Sequence, residues 1–441
     1  MVRLMWCSIV FAFFLWIGCL SASAAENPPV AEPVSNDAPS DFSDTLLGDW
    51  GGKRGPISAQ GYDWEIVYKL DLLSKVSAPD CSGNTEAPCN VIYGLDNLDI
   101  KLSLDGEKLF GIKGGSGMLY ILSNRGGKPA LSSDRLPHGL DNIETPYNAN
   151  TTKLYQAWIQ QAFLDERLSV RVGLYDLNSE FYMTESSGIF IHPTFGIGAE
   201  LASTSLNGPS IFPNTSLAAR VKAELAPGYY VQAVVLDGVA GDPNNPHGTH
   251  VQFNDGDGAL DVIEGAIPLS TAENAHDNKL ALGVWQYTSR FDDWVEKDIN
   301  GDPVKSRSHG YYALLDKVLR YKPGSNEGSI NGFVRAGKTN ADASPSQFDL
   351  AWSTGLVFSG MFAGRDQDRL GIAFAHERNG AKYLAASGST VPSEKSFELT
   401  YRYQAVPGLV LQPIVQYLLN HGNDPTQNKS WWLGMRFEVS L

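Results

Sequence analysis

The chain has 441 residues, of which 43% are hydrophobic and 19% are charged, and its formal net charge at pH 7 is −15. This composition is too apolar for a disordered protein and too polar for a bundle of membrane helices. The negative charge argues against binding to nucleic acid, which requires basic surfaces, and it suits neutral or cationic solutes.

The N-terminus has the organisation of a secretory signal peptide. Arg3 precedes an apolar run over 4–20, and Ala22-Ser23-Ala24 forms an A-x-A cleavage pattern. We expect residues 1–25 to be removed after export, in preference to an uncleaved membrane anchor or a lipidated Cys19. No later stretch of about eighteen apolar residues follows, so a membrane-embedded mature chain would have to be a closed barrel.

The next segment, residues 26–61, begins rich in Pro, Asp and Ser, and we interpret it as a periplasmic tail with one possible short helix. Beyond it lie the two cysteines of the mature chain, Cys81 and Cys89. In an oxidising compartment they are expected to form one local disulfide in a loop. Neither has a histidine or a further cysteine nearby, so a metal site is not expected there.

Strand patterns recur over residues 62–441, which we interpret as one domain. Apolar and polar residues alternate in 62–72, 98–105, 167–174, 217–225, 397–403, 409–417 and 431–441. A period of two places the two sets on opposite faces of a strand, so that one face would meet lipid and the other a watery lumen. The pattern predicts an all-β fold, a transmembrane antiparallel β-barrel. Aromatic residues near strand ends would form girdles at the membrane interfaces: Tyr62, Trp64, Trp285, Tyr287, Tyr401, Tyr403, Trp431 and Trp432.

The connections between these strands alternate in length. Short turns occur at 226–228 and 406–408. Longer polar segments occur at 125–150, 238–258, 289–308, 376–394 and 420–429. Short periplasmic turns with long extracellular loops are typical of outer-membrane barrels. About 16 strands fit the length of the domain, and about 18 fit as well. The competing structure is a secreted β-sandwich or β-helix, whose apolar faces would pack inward.

Enzymatic and metal-binding motifs are not evident. The segment 114–118 lacks the second glycine of a nucleophile elbow, and His247 and His250 lie in a polar loop without a metalloprotease pattern. The acidic segment 254–258 is interpreted as a hairpin loop, and calcium binding there is left open because the terminal glutamate of an EF-hand is missing. We therefore expect no enzyme and no cofactor.

Several short sequence blocks occur in order over nearly the whole mature chain. They are 46–52 (LLGDWGG), 168–175 (LSVRVGLY), 237–243 (DGVAGDP), 283–287 (GVWQY), 364–371 (GRDQDRLG), 398–401 (ELTY) and 411–417 (LQPIVQY). Through them the chain resembles the carbohydrate-selective porins, the porin B family of Gram-negative outer membranes. The chain ends in Leu441, where such barrels usually end in phenylalanine.

The resemblance implies a sixteen-stranded outer-membrane barrel whose lumen passes monosaccharides such as glucose, and similar small solutes, by diffusion. Small sugars and outer-membrane lipid would be its partners, and a monomer and a homotrimer are both left open. Two other functions also stay open. One is a porin for organic acids or cations, and the other is a secreted β-rich glycan-binding protein or hydrolase.

Candidate pore-lining residues follow from strand parity. A sugar channel needs polar groups that replace water around hydroxyls and still release the sugar. Asn124 and Arg125 end a strand and would reach a constriction from a folded-in loop. Arg171 is the strongest candidate because it lies inside the block 168–175. The candidates are Asp63, Glu65, Lys69, Asn124, Arg125, Gln156, Trp158, Gln160, Arg167, Arg171, Glu398, Arg402, Gln412, Gln416, Arg436 and Glu438.

Overall fold

Sixteen strands close into an antiparallel barrel in the computed structural model, which describes residues 42–77, 81, 89–126, 139–145, 150–269, 278–322, 328–423 and 429–441. The strands are β1 (Tyr62–Ser77), β2 (Ile92–Asp105), β3 (Gly115–Gly126), β4 (Thr151–Phe163), β5 (Leu168–Tyr175), β6 (Ser216–Ala226), β7 (Tyr229–Asp237), β8 (Ala259–Pro268), β9 (Lys279–Tyr287), β10 (Phe291–Lys297), β11 (Pro303–Ser306), β12 (His309–Tyr321), β13 (Gly328–Thr339), β14 (Phe348–Ser359), β15 (Arg369–Asn379), β16 (Ser393–Val406), β17 (Leu409–Leu419) and β18 (Lys429–Ser440). Strands β10 and β11 pair only with each other, so β9 is followed by β12 in the barrel.

Four short α-helices lie before the first strand or between strands in the described residues. They are α1 (Arg54–Ala59), α2 (Gly106–Phe110), α3 (Ala199–Ala202) and α4 (Ala381–Ser387). No helix in the described residues is long and apolar enough to cross a membrane. The expected signal peptide, 1–25, and the tail up to residue 41 lie outside the described residues. Cys81 and Cys89 form a disulfide between β1 and β2, with their Cα atoms 5.2 Å apart.

The first and last strands complete the barrel. β18 pairs with β1 in an antiparallel register that includes Tyr68 opposite Val439 and Leu72 opposite Met435. The alternation over 431–441 therefore belongs to a closing strand, as predicted, and its Trp431 and Leu433 are exposed on the outside. The sixteen-stranded alternative is correct, because the additional hairpin β10–β11 stands outside the barrel.

The two ends of the barrel differ in the length of their connections. One end, the turn end, carries the C-terminus, the start of β1 and short turns such as 164–167, 227–228 and 407–408. The other end, the loop end, carries long connections, including 176–215, 238–258 and 288–308. The long segment predicted over 376–394 is shorter than expected, because β15 continues to Asn379 and β16 starts at Ser393.

Strand parity separates the outer surface from the lumen. In β9, Leu282 and Val284 are exposed on the outside, whereas Trp285 and Tyr287 point inward and are buried. The assignment of Trp285, Tyr287 and Trp432 to membrane girdles is therefore wrong, because these rings are buried on the lumen side. Apolar side chains that point into a barrel are stable only if another protein segment in the lumen covers them.

Candidate functional site

Residues 176–215, between β5 and β6, fold back from the loop end into the lumen, and we call them the inner loop. They contain α3 and three short helical turns, Leu177–Ser179, Ser186–Ile189 and Pro193–Phe195. The inner loop supplies Phe181, Tyr182 and Leu201 to the largest buried cluster. Strand residues of the same cluster include Trp285, Tyr287 and Tyr312. The hydrophobic core of this protein thus lies inside the barrel, between the inner loop and the wall.

A buried carboxylate on β8, Glu264, holds the first part of the inner loop. Its Oε2 accepts the backbone N–H of Tyr182 at 2.9 Å and the hydroxyl of Tyr312 at 2.8 Å. Its Oε1 accepts the hydroxyl of Tyr230 at 2.9 Å and the side-chain amide of Gln232 at 3.0 Å. The rings of Tyr182 and Tyr312 stack with centroids 3.9 Å apart. Hydrogen bonds to a charged acceptor in a dry interior are the stronger kind, so this carboxylate fixes the loop firmly.

The middle of the inner loop is held by Glu398 and its neighbours on β16 and β17. The two Glu398 oxygens accept the backbone N–H groups of Ile191 and His192, each at 2.8 Å. Gln412 donates to the carbonyl of Ile189 at 2.7 Å, and Gln416 donates to Glu398 at 3.2 Å. These three polar side chains thus hold the backbone of residues 189–192 against the wall.

Two further wall residues hold the inner loop from β12 and β13. Asp316 accepts the backbone N–H of Ser186 at 3.1 Å and also its hydroxyl. Arg335, which is buried, donates to the carbonyls of Thr194 and Gly196. Gly337 on the same strand faces α3 so closely that an added Cβ would lie 1.8 Å from Glu200 Oε1. A larger residue there would displace the carboxyl of Glu200 and the hydroxyl of Tyr182.

A second segment, residues 139–145, also enters the lumen and meets the inner loop. Its Asn142 donates its backbone N–H to the carbonyl of Ile191 at 2.8 Å. Arg436 on β18 donates to Asn142 Oδ1 at 2.7 Å and to Asp141 at 3.2 Å, and it also binds Asp71 on β1 through two nitrogens. Burial and the nearby Asp71 raise the pKa of Asp141 well above its ordinary value. Arg436 therefore joins β18 to β1 and to residues 139–145.

Arg171 belongs to a cluster of charged and aromatic side chains on β4 to β6. Glu180 of the inner loop binds Arg220 through both oxygens at 2.9 Å and lies 3.4 Å from Arg171. Burial alone would raise the pKa of Glu180, but Arg171 and Arg220 outweigh burial and lower it. Arg171 also donates to Gln160 at 3.1 Å and lies 3.7 Å above the ring of Trp158. The cluster places a half-buried aromatic ring against a charged hydrogen-bond donor.

A cavity of about 560 Å³ stays open between the inner loop, residues 139–145 and the wall. The wall side of this cavity is formed by residues of β1 to β4, because the inner loop is attached to the later strands. Lys69 binds Asp99 at 3.1 Å there, and Tyr120 donates to the same carboxylate at 2.7 Å. Pockets of this volume are large enough to enclose a small molecule. The lining includes Lys69, Asp99, Tyr120, Tyr155, Asp176 and Asn178.

Most predicted pore-lining residues point into the lumen, but they fall into two groups. The first group is covered by the inward segments and holds them: Asn124, Glu398, Gln412, Gln416 and Arg436. The second group also points into the lumen, but its side chains do not anchor the inward segments. Its members are Asp63, Glu65, Lys69, Trp158, Gln160, Arg402 and Glu438. Gln156 belongs with the first group, because its Oε1 accepts the backbone N–H of Asp176 at 3.5 Å. Arg171 belongs with the second group, because it contacts only the side chain of Glu180 in the inner loop. Whether any of them contacts a sugar stays a prediction.

Two predicted residues do not lie in the lumen. Arg125 is exposed on the outer face of β3, because it has the opposite parity to the buried Asn124. Arg167 lies in the exposed turn before β5 and donates to the carbonyl of Leu225 at 3.1 Å. The assignment of both residues to the pore wall is therefore wrong. Parity excludes Arg125, and the start of β5 at Leu168 excludes Arg167 from the wall.

The anchoring residues Glu180, Glu264, Asp316 and Arg335 are absent from the sequence prediction. The segment 189–201 (IFIHPTFGIGAEL) nevertheless indicates a buried loop, because it is too apolar for a fully solvent-exposed one. Lumen-parity aromatic residues such as Trp285 and Tyr287 gave the complementary signal, since they require a buried partner.

Stability is expected to fall as the pH rises, because buried carboxyls of the inward segments have raised pKa values. Burial raises the pKa of Glu200 to about 7 and that of Glu144 to about 8. A carboxyl raised in the folded state contributes stability that is present below its unfolded value, about 4.3, and is lost as the pH passes the folded value. The apparent melting temperature of the detergent-solubilised protein should therefore decrease by roughly a few degrees between pH 5 and pH 9.

Glu200→Gln tests this expectation, since the amide cannot ionise and retains an oxygen for the hydroxyl of Tyr182, which donates to Glu200 at 3.0 Å. The variant should show a shallower decrease with pH than the parent. The matched control is Glu107→Gln, at an exposed position in α2, which should keep the parent slope. Equal slopes for Glu200→Gln and the parent protein would contradict the assignment.

Comparisons with known proteins agree with this architecture. The family model of the carbohydrate-selective porins, OprB family, matches residues 93–441. Porin B of Pseudomonas aeruginosa is 24% identical over 454 residues, covering 96% of this chain and 97% of that protein. The putative porin QuiX of Acinetobacter baylyi is 22% identical, covering 97% of this chain and 99% of that protein. The high-pH structure of Pseudomonas putida OprB superposes with a TM-score of 0.76 at 21% identity, covering 92% of this chain and 100% of that one.

The family match agrees with the closed barrel and its narrowed lumen. The family model covers most of the chain, including every strand from β2 to β18 except the first residue of β2. The similar solved structure shows that the sixteen-stranded fold is shared. The chain belongs to the OprB family of carbohydrate-selective porins, and it is a channel for sugar diffusion across the outer membrane of a Gram-negative cell.

Proposed function

We propose that this porin passes sugars of about monosaccharide size, through the cavity between the inner loop and β1 to β4 and then past the Arg171 cluster. The observation that carries the proposal is the pairing of charges along this route. Lys69 is paired with Asp99, and Arg171 with Glu180. A charge pair such as Lys69 and Asp99 offers a donor and an acceptor to hydroxyl groups while presenting little net field to an ion. Arg171 adds a further donor, and it shares Glu180 with Arg220.

Arg171 is the residue that the proposal assigns to sugar contact. The ring of Trp158 beneath its guanidinium supports the assignment, since sugars use both flat apolar faces and charged hydrogen bonds. The proposed channel works by diffusion without catalysis. Its binding must therefore be weak enough for release, which a partly exposed cluster with internal partners provides.

Arg171→Ala is expected to weaken the block of ion current by glucose in planar bilayers by roughly tenfold in sugar concentration, since a charged hydrogen bond contributes about 1.5 kcal/mol or more. Liposome swelling with glucose should change in the same variant. Arg125→Ala is the matched control, because Arg125 is exposed on the outer face of the barrel. An unchanged glucose block in Arg171→Ala, with a correctly folded barrel, would remove Arg171 from the sugar path.

A second candidate solute class is supported by the charges around Glu180. Arg171, Arg220 and Lys222 all act on this one carboxylate, so the wall of β5 and β6 carries more positive than negative charge. Small organic acids related to sugars would be attracted to such a wall. Reversal potentials in a salt gradient decide between the classes. Anion selectivity together with acid-dependent block would favour the acids over neutral sugars.

The proposal also assigns the two ends of the barrel to the two sides of the outer membrane. In outer-membrane barrels the short turns lie on the periplasmic side, so the turn end is assigned to the periplasm and the loop end to the cell exterior. Residues 1–25 are proposed to be removed on export, and the segment 26–61 to remain at the periplasmic end. Mass spectrometry of the purified mature protein tests the cleavage position.

A further inference from the structure

The outer surface of β15 to β18 carries an unbroken row of aromatic side chains, which we call the aromatic row. Its members are direct partners across neighbouring strands: Phe374 pairs with Phe397, Phe397 with Tyr417, and Tyr417 with Trp431. The Phe374 and Phe397 rings have centroids 6.1 Å apart, and the Tyr417 and Trp431 rings are 4.5 Å apart. Aromatic belts of this kind lie at the boundary between the hydrocarbon and the headgroups.

Basic side chains lie directly beyond the aromatic row in three of its four strands, two residues closer to the loop end. His376 is the strand partner of Lys395, and Lys395 and Lys429 both pair with the intervening Leu419. One further step towards the loop end, Arg378 and Lys338 both pair with Leu350. We call the four cations of this sector the basic band: Lys338, Arg378, Lys395 and Lys429.

The basic band retains most of its charge. Lys338, Lys395 and Lys429 form no ion pair with any residue in the described part of the chain, and Lys338 and Lys429 are exposed. Only Arg378 is neutralised, by Asp349 at 2.6 Å. A cluster of unpaired like charges is unfavourable by itself, so an anionic partner on this surface would relieve it.

The outer faces of two other neighbouring strands carry the opposite charge. At the same end of the barrel, the outer faces of β7 and β8 carry Asp237 and Asp261 instead. The chain as a whole has a formal charge of −15, so the positive charge of the basic band is opposite in sign to the net charge of the protein. The position of the band, beside an aromatic row on a lipid-facing wall, sets its depth at the headgroup level of the outer leaflet.

We infer that the basic band binds the phosphate groups of an anionic lipid in the outer leaflet, with the aromatic row against the apolar part of the same lipid. Lysine binds phosphate as a compact point charge, and a basic residue at an anionic membrane surface contributes a measurable attraction. The partner is a phosphorylated lipid because its headgroup and its chains fit the two adjacent rows. The site is separate from the lumen and does not depend on which solute passes.

The test uses the full mature chain in a neutral detergent and native mass spectrometry. The probes are a bisphosphorylated glycolipid (lipid A), the same glycolipid without its phosphates, and inorganic phosphate. The parent protein should retain the bisphosphorylated form at least roughly tenfold more strongly than the other two probes. Lys395→Gln combined with Lys429→Gln should weaken that retention by roughly tenfold or more.

Lys317→Gln is the matched control, since Lys317 is also exposed on the outer face but lies near the turn end of β12. It should leave glycolipid retention unchanged. Equal retention of the dephosphorylated glycolipid, or an equal loss in Lys317→Gln, would overturn the inference. Retention of inorganic phosphate as strong as that of the glycolipid would also overturn it, because the site would then be one for free phosphate.

Discussion

Glu264→Ala is expected to release the first part of the inner loop and to widen the channel. The Glu264 carboxylate accepts four hydrogen bonds inside the barrel, including the one from the Tyr182 backbone that tethers the loop. Hydrogen bonds to charged groups contribute about 1.5–3 kcal/mol each, and their loss leaves buried donors without partners. Single-channel conductance in planar bilayers should rise, and liposome swelling by a disaccharide should approach that by a monosaccharide.

The control for this experiment is Glu107→Ala, which removes a carboxylate from an exposed position in a turn-end helix. It should keep the conductance and the size discrimination of the parent protein. Glu264→Gln should have an intermediate effect, because one amide oxygen can accept hydrogen bonds whereas the amide nitrogen would face donors. A folded Glu264→Ala barrel with parental conductance would show that the other anchors hold the loop without Glu264.

Arg436→Leu is expected to lower the free energy of unfolding by about 3–5 kcal/mol, because it leaves a buried carboxylate without its counter-ion. Arg436 is the partner of Asp71 across the pair β1–β18, and it also holds Asp141 and Asn142. Denaturant unfolding of the detergent-solubilised protein, followed by tryptophan fluorescence, measures the change. Conductance should also rise, since residues 139–145 lose one of their attachments to the wall and keep those from Asn124 and Gln416.

Arg402→Leu provides the matched comparison. Arg402 also points into the lumen and binds Glu438 of β18 at 2.6 Å, but its side chain is 29% exposed, whereas that of Arg436 is 6% exposed. Exposed ion pairs contribute about 0–1 kcal/mol, so this variant should lose far less stability. A similar loss of unfolding free energy in both variants would show that the burial of the Asp71–Arg436 pair does not increase its contribution to stability.

The strands of the barrel were predictable from the sequence because the two faces of each strand meet different solvents. Lipid on one side and polar groups on the other impose a period of two, which local composition records directly. The same reasoning placed Gln160 and Arg436 in the lumen. It failed for Arg167, because the boundary of β5 depends on turn geometry that the alternation does not define.

The inner loop was not predictable in the same way. Its attachments, such as Tyr182 to Glu264 and Ile191 to Glu398, join residues that are distant in the sequence and have no periodic signature. Sequence alternation marks Glu398 as lumen-facing but cannot distinguish a side chain that meets water from one covered by a loop. Only the three-dimensional position of 176–215 separates the residues that hold the constriction from those that line the open path.

The order in which the chain can acquire its final shape follows from the pair Asp71–Arg436. These residues are separated by most of the chain, so they meet only when β18 joins β1. Residues 139–145 depend on Arg436, and Asn142 in turn contacts the inner loop. Contacts of such long sequence separation form late, because the intervening chain must first be ordered. During assembly, residues 139–145 can therefore gain their contacts with Arg436 only after the barrel has closed, whereas the anchors of the inner loop on β8, β12, β13 and β16 do not require the last strand.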